Sequence, residues 1–142
     1  MDAERFLNDL IEAWNSHDQS RVMALYHAEF EGDDLSESKQ AKGFYEAGRM
    51  VQYIFNAFPD LHMTPLDWGC DGDKFFYFWK ATGHHRGKLM NIPPTGKHCS
   101  FMGASFFVLR DGKIVRGRRM WDVATMLRQI GLLPEPTTAD YS

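Results

Sequence analysis

The chain has 142 residues, 44% of them apolar and 25% charged, and reads as one ordinary globular domain with room for a sizeable core. Its net charge of −3 argues against nucleic acid and anionic membranes as partners, and no run approaches the roughly 20 apolar residues of a membrane span. The opening Met1-Asp2-Ala3-Glu4-Arg5 lacks the basic start and apolar run of a signal peptide, so the expected residence is cytoplasmic.

Residues 3–16 predict a helix, with Phe6, Leu7, Leu10, Ile11 and Trp14 on one apolar stripe. Asn15-Ser16-His17-Asp18 breaks that pattern, and Asp18 is a good N-cap for a second, shorter helix carrying Val22, Leu25 and Tyr26. Phe30 opens at most a short strand. The acidic stretch Gly32 to Ser38, with Glu29 and Glu31 before it, reads as a solvated loop, or alternatively a lid. A third helix is expected over 39–57, capped by Ser36 or Ser38, with Phe44, Ala47, Gly48, Val51, Ile54 and Phe55 inward. It must stop before Pro59.

From Leu61 the pattern turns to β. Leu61–Cys70 is a strand that Pro65 confines to an edge or a bulge, Asp71-Gly72-Asp73 is a turn, and Lys74–Thr82 is the next strand. Gly83–Lys97 is irregular. Two long strands, 98–109 and 113–123, flank the turn Asp111-Gly112, and a short helix with Met126, Leu127 and Ile130 ends at Gly131 and Pro134. Helices followed by antiparallel strands predict an α+β domain with its helices on one face of a curled sheet. Eleven Phe, five Tyr and four Trp suit a concave sheet face, or a second face buried between subunits. Cys70 and Cys99 are too few and too far apart for a disulfide framework or a zinc site. The six histidines show no ligand spacing, so no metal is expected.

The most informative residue is Asp122, an acid among Met120, Trp121 and Val123 at the end of the last strand. Either it caps the following helix or it is a carboxylate held in a partly dry pocket, where burial would raise its pKa toward that of a general base. Uninterrupted alternation puts Asp122, Met120, Arg118, Arg116 and Ile114 on the cavity side and Val115, Gly117, Arg119 and Trp121 on the other. Arg116 and Arg118 then either reach the exposed rim or hold an anionic group of a ligand. In the neighbouring strand only small hydroxyls, Ser100 or Ser105, are available as polar companions.

Several motifs carry a family resemblance: Ala57-Phe58-Pro59-Asp60-Leu61-His62, Trp79 with Thr82-Gly83-His84-His85-Arg86-Gly87, Ile92-Pro93-Pro94-Thr95-Gly96-Lys97, Asp111-Gly112-Lys113-Ile114-Val115, and Trp121-Asp122. In this order the chain resembles the SnoaL-like polyketide cyclases of the NTF2-like superfamily, over about residues 3–132, with a polar tail at 134–142. The resemblance implies an NTF2-like cone, with three N-terminal helices packed on a curved antiparallel sheet around a hydrophobic pocket. It also implies a polyketide (ester) cyclase-like enzyme without metal or cofactor. In such an enzyme Asp122 is the general acid/base of an intramolecular aldol reaction. Pocket residues expected around the substrate are Arg118, Trp14, Tyr26, Tyr53, Trp79, His85, Ser105 and Met120. The rivals are a non-catalytic ligand-binding or accessory protein, and an epoxide-hydrolase-like enzyme using Asp122 with Arg118. A homodimer or higher homo-oligomer is expected through the outer sheet face, carrying Phe76, Phe78 and Trp121.

Overall fold

The computed structural model describes residues 2–36 and 42–135. The first helix, α1 (Ala3–Asn15), starts where the Asp2 carboxylate accepts the Arg5 N–H, and it buries Phe6, Leu7, Leu10, Ala13 and Trp14. Helix α2 (Gln19–Met23) is capped by Asp18, as its sequence suggests. The side-chain amide of Asn15 then does the work of a strand partner. It donates to the Met63 carbonyl at 3.0 Å and accepts the Met63 N–H at 2.7 Å, tying the end of α1 to the sheet.

The acidic stretch departs from expectation. Instead of a loop beginning at Gly32, Tyr26–Asp34 forms strand β1. It lies parallel to β5 (Lys113–Trp121) at one edge of a five-stranded sheet ordered β1-β5-β4-β3-β2. The cause lies across the strand pair, out of reach of local pattern. Glu31 meets Arg116 and Asp34 meets Arg119 across the β1–β5 pair, and Glu29 meets Arg110 at the end of β4 (His98–Arg110). The exposed pairs add little, and the pair with low exposure is Asp34–Arg119.

Helix α3 (Phe44–Ala57) begins later than expected, with Gly43 at its N-cap. Of the expected caps, Ser38 lies outside the described residues, as does the expected helical start at 39–41. Ser36 is used elsewhere. Strands β2 (His62–Asp71), β3 (Lys74–His84), β4 (His98–Arg110) and β5 form the antiparallel remainder, and β2 is the far edge strand with a register shift beginning at Pro65. A seven-residue helix, α4 (Val123–Gln129), closes the described fold.

The core lies between the helices and the concave sheet face. Leu10, Val22, Val51, Phe75, Ile114 and Met126 are fully buried there. Phe75 meets Phe6 edge to face at 5.0 Å, and burying such a ring stabilises by about 2–3 kcal/mol. No helix among the described residues is long and apolar enough to cross a membrane.

One local irregularity decides which side chains reach the concave face. The turn Arg110–Lys113 is tight, with positive φ at Asp111 and Gly112, as the Asp-Gly pair predicts. Leu109 then faces Ile114, but Val108 faces Arg116, so Val115 is an extra residue in β5. Beyond such a bulge every side chain changes face. Uninterrupted alternation placed Arg116, Arg118, Met120 and Asp122 inward. In the structure Ile114 faces in before the bulge and Gly117, Arg119 and Trp121 face in after it, opposite the inward Phe107, Ser105 and Gly103 of β4.

Candidate functional site

The concave face, β1 and the inner sides of α1 and α3 line a hollow. Its wall is mostly apolar: Trp14, Phe30, Met50, Ile54, Phe58, Leu61, Met63, Trp79, Leu89, Phe101, Phe107 and Trp121. The Trp79 indole lies flat over Gly103, where any β-carbon would come within 2.1 Å of the ring. Its Nε1 donates to Ser105 Oγ at 3.1 Å, which fixes the plane of the ring and satisfies the buried N–H.

The polar groups of the wall gather at one place. Arg119 donates through Nε to Asp34 Oδ2 at 2.9 Å, and its Nη2 donates to the same oxygen. Asp34 is buried and Arg119 largely so, with 7% and 17% of their side chains exposed, which separates this pair from the surface pairs further along β1. The segment carrying Asp34 is stitched to β5 at three points. Leu35 N–H donates to the Arg119 carbonyl at 2.7 Å, Ser36 Oγ donates to the Trp121 carbonyl at 2.9 Å, and Trp121 N–H donates to Ser36 Oγ at 2.7 Å. Asp34 Oδ1 accepts the Ser36 N–H at 3.0 Å. Tyr26 and Tyr77 also line the hollow, and burial pushes both phenols above their ordinary pKa, so both stay protonated.

Of the residues expected around a ligand, Trp14, Tyr26, Trp79 and Ser105 line this hollow, and Arg118 lies at its rim. Three others are elsewhere. Met120 is exposed on the outer sheet face, because the bulge at Val115 turned it there. Tyr53 is outside the lining, its hydroxyl accepting the Met90 N–H at 2.7 Å. His85 is fully buried behind Phe58, with ring centroids 6.0 Å apart. Its Nδ1 accepts the Thr95 N–H at 3.3 Å and lies 3.0 Å from Thr95 Oγ1, while Nε2 is buried without a partner among the described residues. Burial pushes the pKa of His85 down, and the Gly87 backbone opposes this in part.

Asp122 is the main correction to placement. Its carboxylate is exposed and outside the hollow. Oδ1 accepts the Thr125 N–H at 3.1 Å and Oδ2 accepts the Thr125 hydroxyl at 2.6 Å, the geometry of a helix N-cap. The two bonds from Thr125, hydroxyl first and then backbone, hold its carboxyl below the usual range, with a smaller contribution from Arg128. A general base is tuned the other way. The Asp122–Arg118 pair of the epoxide-hydrolase alternative does not form, and the acid–arginine pair in the wall is Asp34–Arg119. The sequence held one usable sign of it, Asp33-Asp34 and the arginine cluster Arg116-Gly117-Arg118-Arg119, but the partners lie 85 residues apart. Among the described residues, no group of three or more His, Cys, Asp or Glu side chains is arranged to hold a metal ion.

The family model for SnoaL-like polyketide cyclases matches residues 4–130. The chain belongs to this family. Comparison of the SnoaL-like sequence with curated proteins returns no match. Among solved structures, AclR from Streptomyces galilaeus, which carries a hydroxylase designation, superposes with a TM-score of 0.84 at 21% identity, over 96% of this chain and 89% of that one. A SnoaL-like protein from Jannaschia sp. CCS1 gives 0.80 at 18% identity, over 93% of each chain. IdmH from Streptomyces antibioticus, which carries a polyketide cyclase designation, gives 0.76 at 25% identity, over 92% of this chain and 99% of that one. The NTF2-like, ketosteroid-isomerase-like fold is therefore established for this SnoaL-like chain.

Proposed function

We propose that this protein is a cyclase- or isomerase-type enzyme that takes a small, flat, largely apolar carbonyl compound, polyketide-like in character, into the hollow. The observation that carries this reading is the make-up of the wall, aromatic and aliphatic nearly throughout, with one buried ion pair among the described residues, beside Tyr26, Tyr77 and Ser105. An aldol cyclisation needs a base within reach of an acidic C–H between carbonyls, and a donor for the oxygen on which charge develops. Asp34 and Arg119 form the buried carboxylate–guanidinium pair of a lining that also includes Asp33 and Arg118, so this pair takes the place that Asp122 held in the sequence-based expectation.

The test is turnover of a linear aromatic polyketone ester, followed by chromatography for an isomeric ring product. Asp34→Asn is expected to stop product formation and Asp122→Asn to spare it. The opposite result returns the reaction to Asp122. One observation favours a binding role instead. Both Asp34 oxygens already accept hydrogen bonds, so a substrate proton would have to displace one of them. Ligand uptake with no product from any polyketone tested supports that reading.

The outer sheet face supports a second part of the proposal, self-association as a homodimer or larger homo-oligomer. Phe76, Phe78, Met102, Phe106 and Met120 are exposed together across β3, β4 and β5, an apolar patch of the kind that monomers rarely leave open. Trp121, expected on this face, points into the hollow. Sedimentation of wild type and Phe78→Lys tests it: a dimer that the lysine dissociates is expected, and a wild-type monomer rejects it.

A further inference from the structure

We infer that Arg119, balanced by Asp34, sets the ligand specificity of the hollow: it accepts a neutral carbonyl oxygen and turns away a carboxylate. This rests on the reading above that the hollow takes a small apolar molecule.

Three observations lead there. First, Arg119 reaches the hollow only because of the bulge at Val115, and its register puts it beside Asp34 on one strand and Ser105 on the other. Second, Nε and Nη2 both donate to Asp34 Oδ2, so Nη1 is the guanidinium nitrogen that the ion pair does not use. A planar guanidinium held on one edge offers its remaining N–H groups in a fixed direction. Third, the pair carries no net charge, and the neighbouring phenols of Tyr26 and Tyr77 stay protonated. An incoming carboxylate loses its hydration and meets the Asp34 carboxylate across a shared guanidinium. A neutral ketone or ester oxygen meets the same donor without that repulsion.

Stability alone gives no reason for the pair. A buried ion pair is commonly no more stabilising than well-packed apolar residues of the same volume. Here it interrupts an otherwise apolar wall and gives it direction. In ligand binding Arg119 is the residue that touches the ligand oxygen, while Asp34, whatever it does in turnover, fixes the guanidinium and cancels its charge.

Three naphthyl probes test this by ligand-detected NMR titration: naphthalene, 2-acetylnaphthalene and 2-naphthoate. Wild type is expected to bind the ketone about 10-fold more tightly than naphthalene, and naphthoate more weakly than the ketone. Asp34→Asn leaves the Arg119 charge uncompensated and is expected to reverse the order, so that naphthoate binds best. A purely structural role for Asp34 would weaken all three probes together. The double variant Asp34→Asn/Arg119→Gln removes both charges, and so serves if the single variant folds poorly. It is expected to bind ketone and naphthalene alike, with naphthoate weakest. Equal binding of naphthoate and ketone by wild type, or an unchanged order in a folded Asp34→Asn, overturns the assignment. So does a ketone that binds no better than naphthalene, although the hollow then still takes apolar ligands. Failure of both neutral probes to bind removes the assignment together with the reading of the hollow as a ligand site.

Discussion

Asp34 and Asp122 are two carboxylates at the same end of the molecule, each next to the last turn of β5, and they do opposite things. Asp34 is at the end of an edge strand, buried against Arg119 in the wall of an apolar hollow. Asp122 follows β5 directly and lies in solvent, closed on Thr125 at the head of α4. By local sequence Asp122 is the more promising of the two, an acid set among bulky apolar residues, while Asp34 sits in a polar, acidic stretch. Their placement in the fold inverts that ranking. The neighbours along the chain of a strand residue point to the opposite face, so they say little about what surrounds its side chain.

Removing the bulge breaks the contrast at its root. Deletion of Val115 would turn Arg119 and Trp121 outward and bring Arg118 and Met120 into the apolar face. The expected loss exceeds about 4 kcal/mol, or folding fails outright, as read by urea denaturation. Preserved stability would mean that β5 tolerates either register.

Asp34→Ala comes next, because it leaves the Arg119 guanidinium buried without its counter-charge. A cost of about 3 kcal/mol is expected, with Asp34→Asn/Arg119→Gln closer to wild type since no lone charge remains. A cost below about 1 kcal/mol would place the pair with the exposed bridges of the same strand edge.

Asp122→Ala should cost about 1 kcal/mol through loss of the cap, with binding of the neutral naphthyl probes unchanged. Its pH dependence sharpens the point. The folded carboxyl is held below the ordinary value of 3.8, so its stabilisation is complete above that value and is lost as pH falls through the folded pKa. The stability gap between wild type and Asp122→Ala should therefore hold from neutral pH down to about 4 and close below it.

The smallest expected effect belongs to His85, and it lies at a different pH. Its folded pKa is lowered from 6.5, so the unfolded chain takes up the proton first as pH drops. Stability from the neutral, buried imidazole is complete above 6.5 and is lost as pH falls from there through the folded pKa. His85→Gln should flatten the wild-type decline that sets in as pH falls below about 6.5 in thermal melts, leaving the Asp122 decline below about pH 4 in place.

Much of the architecture was legible from the residues alone because it depends on near neighbours. Asp18 before Gln19, the apolar stripe from Phe6 to Trp14, Asp111-Gly112 between two aromatic or β-branched runs, and Pro65 at an edge strand each act within a few residues. The family resemblance over most of the chain had the same source, since its motifs are short and ordered along the sequence. The inward set of β3 and β4, from Phe75 through Trp79 and from Phe101 through Phe107, also followed simple alternation, and Trp14, Tyr26, Trp79 and Ser105 do line the hollow.

What the chain order could not supply was the face of β5 beyond the turn. One residue more or less in a strand reverses every side chain after it, and no local preference of Val115 marks it as the extra one. Nor could it supply the partner of an acid 85 residues from its arginine. The sequence by itself determined which segments coil, extend and turn, and that an aromatic-rich sheet would be roofed by helices, because those outcomes are summed over many local preferences. Only the tertiary structure decided that Arg119 would sit in the wall of the hollow with Arg118 at its rim, and that Asp34 rather than Asp122 would face it. A single bulge and a parallel strand pairing settle that choice, and both exist only once distant segments have packed together.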